Sequence, residues 1–232
     1  MKKTLAIALF LTALASAQNL TTQQRVQLSN QMTATLSNQS EGVLRAPDNR
    51  MINIFQQILR GADRHDVNYQ LLVGEDNNTV NAYSLPDGRV VLLTGLLNAL
   101  PQGDDNALAF VLAHEISHIE LKHVDKLAIQ AGLTEMALGW LTSNQSSALQ
   151  ALAGVGSQLL TSGYSREMEA AADGNGLELM SQAGYNPRGA LVTLQLFKNL
   201  EDSQGQARIF PTHPRAADRL HDAEVYLEQH GY

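Results

Sequence analysis

The sequence predicts an α+β domain, mainly helical, with one small β-sheet. From Asp104 onward, apolar residues recur at helical spacing over most of the chain. Two short runs rich in Val, Leu and Tyr, Val67–Val73 and Arg89–Thr94, lie in the first half and read as strands. Of 232 residues, 44% are hydrophobic and 17% charged, which places the chain among globular and not disordered sequences, at the size of one domain.

The elements follow in chain order. Lys2 and Lys3, the apolar stretch Leu5–Leu14 and the triplet Ala15-Ser16-Ala17 form the three parts of a secretory signal peptide. Residues 1–17 are therefore expected to be removed and the protein exported, to the periplasm or beyond the cell. No cysteine follows the cut, so a bacterial lipid anchor is excluded there. Residues 18–48 read as a helical lead-in arm, with Val26, Leu28, Met32 and Leu36 as a weak stripe. The domain proper, 49–232, opens with a helix over Arg50–Arg60 that Gly61 ends. Val80–Leu85 is placed to pair with Arg89–Thr94 as a hairpin, because Pro86-Asp87-Gly88 supplies a turn with glycine where positive φ is needed. Asp104 or Asp105 caps a helix expected to run to about Ala131. The apolar region Leu133–Leu160 is broken by Ser143–Ser146 and by Gly154 and Gly156. Neither half reaches the roughly eighteen uninterrupted apolar residues of a membrane span, though contact with a membrane surface stays open. Helices are expected over Ser165–Gln182 with Gly184 behind it, from Asn186-Pro187, and after Pro214.

Composition narrows the chemistry. A net charge of −7 and 5% aromatic residues argue against nucleic acid as a partner. With no cysteine, any metal must be held by His, Asp or Glu. His114-Glu115-Ile116-Ser117-His118 lies in an apolar helical run. At about 100° per residue, His114 and His118 share a face one turn apart, so two imidazoles can bind one Zn²⁺ while Glu115 reaches its water as a general base.

Three places offer a third ligand. A metzincin arrangement would need glycine and histidine where Leu121 and Val124 stand. His123 is one residue short and about 140° round the helix from His118, so it is expected to point away from the shared face, as a helix-surface residue or one that supports a ligand from behind. Glu135 is the nearest acid downstream, and Gly132 is placed to end the helix before it. Glu169 and Asp173 are i and i+4, hence on one helix face. There Glu169 can complete the ligand set while Asp173 accepts a hydrogen bond from a ligating imidazole. The small residues Ala170–Ala172 suit close packing against another helix.

From about Asn81 to Leu220 the chain resembles the gluzincin metallopeptidase family, which includes the HtpX heat-shock proteases, the CAAX prenyl proteases and the periplasmic proteases BepA and LoiP. Asn81-Ala82, Leu85-Pro86-Asp87-Gly88 and Thr94–Leu97 are similar to its edge-strand region, with Asp87 replacing a common glycine. Ala113–His118 resemble its zinc helix, with Ser117 where glycine is usual. Ser165-Arg166 with Glu169, Ala172 and Asp173 resemble its second zinc motif, and Thr212-His213-Pro214 with Arg219 its C-terminal motif. The resemblance implies a zincin-like metallopeptidase domain holding one Zn²⁺ on His114, His118 and Glu169, with Glu115 activating water. It further implies His213 as a transition-state donor or reversible fourth ligand, and Arg219 bracing the acidic pair. Polypeptides are the implied substrates, among them misfolded envelope proteins, in a soluble, exported quality-control protease. The alternative is a latent or inactive metalloprotease-like chaperone for exported proteins.

Overall fold

One strand sorts the molecule into layers. Strand β4 (Arg89–Leu93) is apolar on both faces, and a strand of that composition needs cover on both. Val90 and Leu92 enter one core, Val91 and Leu93 the other. The computed structural model describes residues 20–39, 44–131, 154–204, 212, 213 and 215–232. Around β4 it places α1 (Thr22–Gln39), β1 (Leu44–Arg45), α2 (Asn49–Ile58), β2 (Gln70–Gly74), β3 (Ala82–Ser84), α3 (Thr94–Ala99), α4 (Asp105–Glu120) and α5 (His123–Gln130). They are followed by α6 (Arg166–Gln182), α7 (Gly189–Gln204) and α8 (Ala216–Gln229). Residues 1–17, expected as a signal peptide, most of the apolar region after Ala131, Glu135 and Pro214 lie outside the described residues.

The sheet runs β1-β2-β4-β3. β2 and β4 are parallel, Gln70 opposite Arg89, and β3 pairs antiparallel with β4, Ala82 opposite Leu92, which leaves β3 at an edge. This is the expected hairpin. Gly88 takes φ +104°, and a Cβ there would sit 2.7 Å from the Asn68 carbonyl oxygen. Asp87 is held by ion pairing to Arg89 and does not adopt a positive φ. β2 begins at Gln70, three residues later than expected, and β1 was not expected at all: two residues carry no readable period.

The first core lies between the sheet and α4, which packs against α2, α6 and α7. Asp104 caps α4 by accepting from the Asn106 and Ala107 amides, and every residue from Ala107 to Ile119 is buried. The expected helix to Ala131 is in fact two. Lys122 adopts a left-handed conformation, φ +55°, at roughly 1–2 kcal/mol for a residue with a side chain. A new helix starts at His123.

The second core is closed by α1 and by helical residues 154–159. Leu28, Met32 and Leu36 of α1 pack with Val91, Leu93, Val155 and Leu159. Val26, expected in that stripe, is exposed, whereas Arg25 is buried on Asp125. No helix among the described residues is long and apolar enough to cross a membrane.

α6 crosses α4 closely because small residues stand at the crossing. Of the three alanines only Ala172 is buried; Ala170 and Ala171 face outward. A Cβ on Gly176 would lie 3.2 Å from the His114 amide nitrogen. Ser117 also sits at this crossing, donating to the Ala113 carbonyl and accepting from Asn175 Nδ2 at 2.9 Å. Gly176→Val is expected to force the helices apart and lower stability by about 2 kcal/mol, measured by urea denaturation.

Candidate metal centre

α4 presents His114 and His118 one turn apart, their Nε2 atoms 3.0 Å from each other. Ser165 caps α6 by accepting from the Met168 amide, so the helix begins just before Glu169 and aims that side chain at the pair. Glu169 Oε1 lies 3.4 Å from His118 Nε2, and Oε2 lies 3.7 Å from His114 Nε2. His213 arrives from the segment leading into α8, with Nδ1 3.1 Å from His114 Nε2 and 3.1 Å from Glu169 Oε1. All four side chains are buried and could hold a metal ion, each offering one donor atom within 4.8 Å of the others. Bonds of 2.0–2.1 Å in a tetrahedron put donors about 3.4 Å apart. The observed separations bracket that value, and a set of imidazoles and a carboxylate suits zinc. The residues fit the ion.

Glu115 sits beside these donors without being one of them. Ser84 Oγ of β3 donates to its Oε2, and His213 Nε2 lies 3.3 Å from its Oε1. Residues 212–213 are tied in place from both sides: Thr212 Oγ1 donates to Asn81 Oδ1 at 3.2 Å, and the Tyr164 amide donates to the Thr212 carbonyl at 3.0 Å.

Residues 45–226 match peptidase family M48. The chain belongs to that family. It is 27% identical to the metalloprotease LoiP of Escherichia coli over 180 residues, 73% of this chain and 66% of LoiP. It is 31% identical to the mitochondrial metalloendopeptidase OMA1 of Schizosaccharomyces pombe over 182 residues, 76% of this chain and 52% of that protein. The β-barrel assembly-enhancing protease of Escherichia coli is 26% identical over 166 residues, 66% of this chain and 34% of the relative. The chain thus spans between a third and two thirds of the length of these relatives.

Within this M48 chain a buried charge network surrounds the four donors. Asp173 Oδ1 lies 2.8 Å from His114 Nδ1. Arg219 donates through Nε and Nη2 to both Asp173 oxygens, at 2.8 and 2.7 Å, and its Nη1 lies 2.9 Å from Glu169 Oε2. Burial pushes the Glu169 carboxyl up, but Arg219, His213 and His118 outweigh it and hold it well below the usual range. Asp173 is lowered in the same way, with Arg219 and His114 opposing its burial. Burial drives His118 down to about 4 and lowers His114 too, which keeps both imidazoles in the neutral form a cation requires. His213 goes the other way. Burial lowers it, yet Glu115 and Glu169 on either side raise it.

The structure brings together all seven residues singled out in the sequence: His114, Glu115, His118, Glu169, Asp173, His213 and Arg219. Of the two readings of His123, it discards the helix-surface one: because the helix breaks at Lys122, His123 is buried behind the His118 ring, its Nδ1 3.0 Å from His118 Nδ1. Two further residues carried no motif. Ser84 is legible only as the strand neighbour of Ala82 on the inward face, and Tyr164, whose ring stacks on His118 at 3.8 Å, only as the residue before the second motif. Arg219→Ala is expected to destabilise the metal-free protein by about 3–5 kcal/mol in urea denaturation, because it strands two buried carboxylates.

Proposed function

We propose that the chain is an exported zinc-dependent endopeptidase of gluzincin type. The observation that carries this reading is the trio of buried donors, His114, His118 and Glu169, at metal-binding spacing, with a separate carboxylate, Glu115, alongside. His114, His118 and Glu169 hold one Zn²⁺ per chain, Asp173 fixes the His114 ring, and Arg219 braces Asp173 and Glu169. The ion supplies a Lewis acid and water that is acidic near neutral pH. Glu115, oriented by Ser84, takes the proton and hands it to the leaving amine. His213, between Glu115 and Glu169, donates to the oxyanion. Polypeptide substrates add along β3, which stands at the sheet edge directly before Ser84's contact with Glu115.

Residues 1–17 act as a signal peptide, 18–48 as the N-terminal arm and 49–232 as the peptidase domain. Export, together with a relative named for enhancing β-barrel assembly, supports work on misfolded envelope proteins in the periplasm or outside the cell.

A second reading, a latent metalloprotease-like chaperone, is favoured by one feature: His213 Nδ1 closes the fourth corner and all four donors are buried. A cleft of about 560 Å³ between α6 and α8 does reach Glu169 and Arg219 past Tyr164.

Elemental analysis of the purified protein should find one zinc per chain, and casein cleavage should stop on adding a chelator. Glu115→Gln should retain the metal and lose proteolysis; full activity in that variant would refute the assigned base. Glu169→Ala should lower zinc stoichiometry. For His213→Ala, a fall of about 10²-fold in kcat is expected from loss of an oxyanion donor. A rise in casein cleavage would instead favour the latent form.

A further inference from the structure

The break between α4 and α5 has no glycine or proline to cause it. Lys122 is held at φ +55°, and strain of this kind persists only where surrounding contacts over-determine it. Those contacts are visible in the first turn of α5. Asp125, the third residue of α5, is buried with Oδ2 2.9 Å from Arg25 Nε of α1 and 3.4 Å from Arg64 Nη2. His123, the first residue of α5, is 3% exposed and meets His118 nitrogen to nitrogen at 3.0 Å. On an unbroken helix the two rings would diverge by about 140°.

Two ring nitrogens at that distance share one hydrogen. If it sits on His118 Nδ1, the lone pair of His118 Nε2 faces the cluster of His114, Glu169 and His213. If it sits on His123 Nδ1, His118 must carry its own hydrogen on Nε2, among those donors, where a cation would have to displace it. We propose that His123 is a positioning residue for metal binding: its unprotonated Nδ1 accepts the His118 Nδ1 hydrogen and fixes the tautomer that turns His118 Nε2 to the ion. The inference rests on His118 being a ligand, as in the proposed function. It makes the two ligating rings unequal. His114 is set by the carboxylate of Asp173, itself clamped by Arg219, whereas His118 is set by a neutral ring and stacked by Tyr164.

Zinc affinity of the full chain, measured by competition with a chromogenic chelator, tests this. His123→Leu should bind zinc about 10–100-fold more weakly, and His123→Asn, whose amide oxygen stands where Nδ1 does, should recover to within about threefold of the original protein. An undiminished affinity in the leucine variant overturns the proposal. So does an asparagine variant as weak as leucine with an unchanged melting temperature. Should the leucine variant not fold, long-range ¹H–¹⁵N spectra of the zinc-loaded, histidine-labelled original protein decide. They should show His118 protonated at Nδ1 and His123 protonated only at Nε2; the reverse pattern overturns the assignment. A protein that binds no zinc, or that keeps full stoichiometry as His118→Ala, would instead defeat the ligand set and with it the proposed function.

Discussion

Three carboxylates, three imidazoles and one guanidinium are buried side by side, and the fold has to hold them there without leaving charge unpaired. Formally Glu115, Glu169 and Asp173 against Arg219 leave two negative charges in excess. Buried charge at that density is costly unless it is compensated. The raised proton affinity of His213 is one expression of the deficit, since a proton there partly offsets it. A divalent cation bound by the four donors would cancel it, which is why spacing and charge count lead to the same conclusion from independent directions.

Holding those groups requires two helices to approach more closely than ordinary side chains allow. Gly176 and Ala172 permit this at the α4–α6 crossing, so packing and chemistry are one constraint: whatever separates the helices also separates Glu169 from the imidazole pair. The third wall comes from the sheet. β3 sends Ser84 to Glu115, and Asn81 just before it holds Thr212, so the strand edge, Glu115 and His213 are fixed relative to one another by two hydrogen bonds.

Much of this was legible in the sequence because it depends on fixed angular relations. A five-residue motif on a helix must put two imidazoles on one face, and Glu169 with Asp173 must share another; Pro86-Asp87-Gly88 must turn a hairpin. What was not legible is what depends on tertiary contacts alone. Lys122 gives no local reason to end a helix, so the angular argument for His123 was sound for an unbroken helix and failed where the helix broke. Two residues of β1 are set by pairing with β2, not by any pattern of their own. Ser84 and Tyr164 look like any serine in a strand and any tyrosine before a cap.

The same distinction applies to α1. Its sequence is polar enough to read as an appendage, and it lies before the residues that match the family. Yet β4 is apolar on both faces, and the side bearing Val91 and Leu93 would meet water without Leu28, Met32 and Leu36. Ser29, Asn30 and Thr33 bind the Asp87–Arg89 turn, and Arg25 reaches Asp125, two residues from His123. α1 therefore does two things at once: it completes the burial of the sheet, and through Arg25 it seats the helix whose first ring rests on His118.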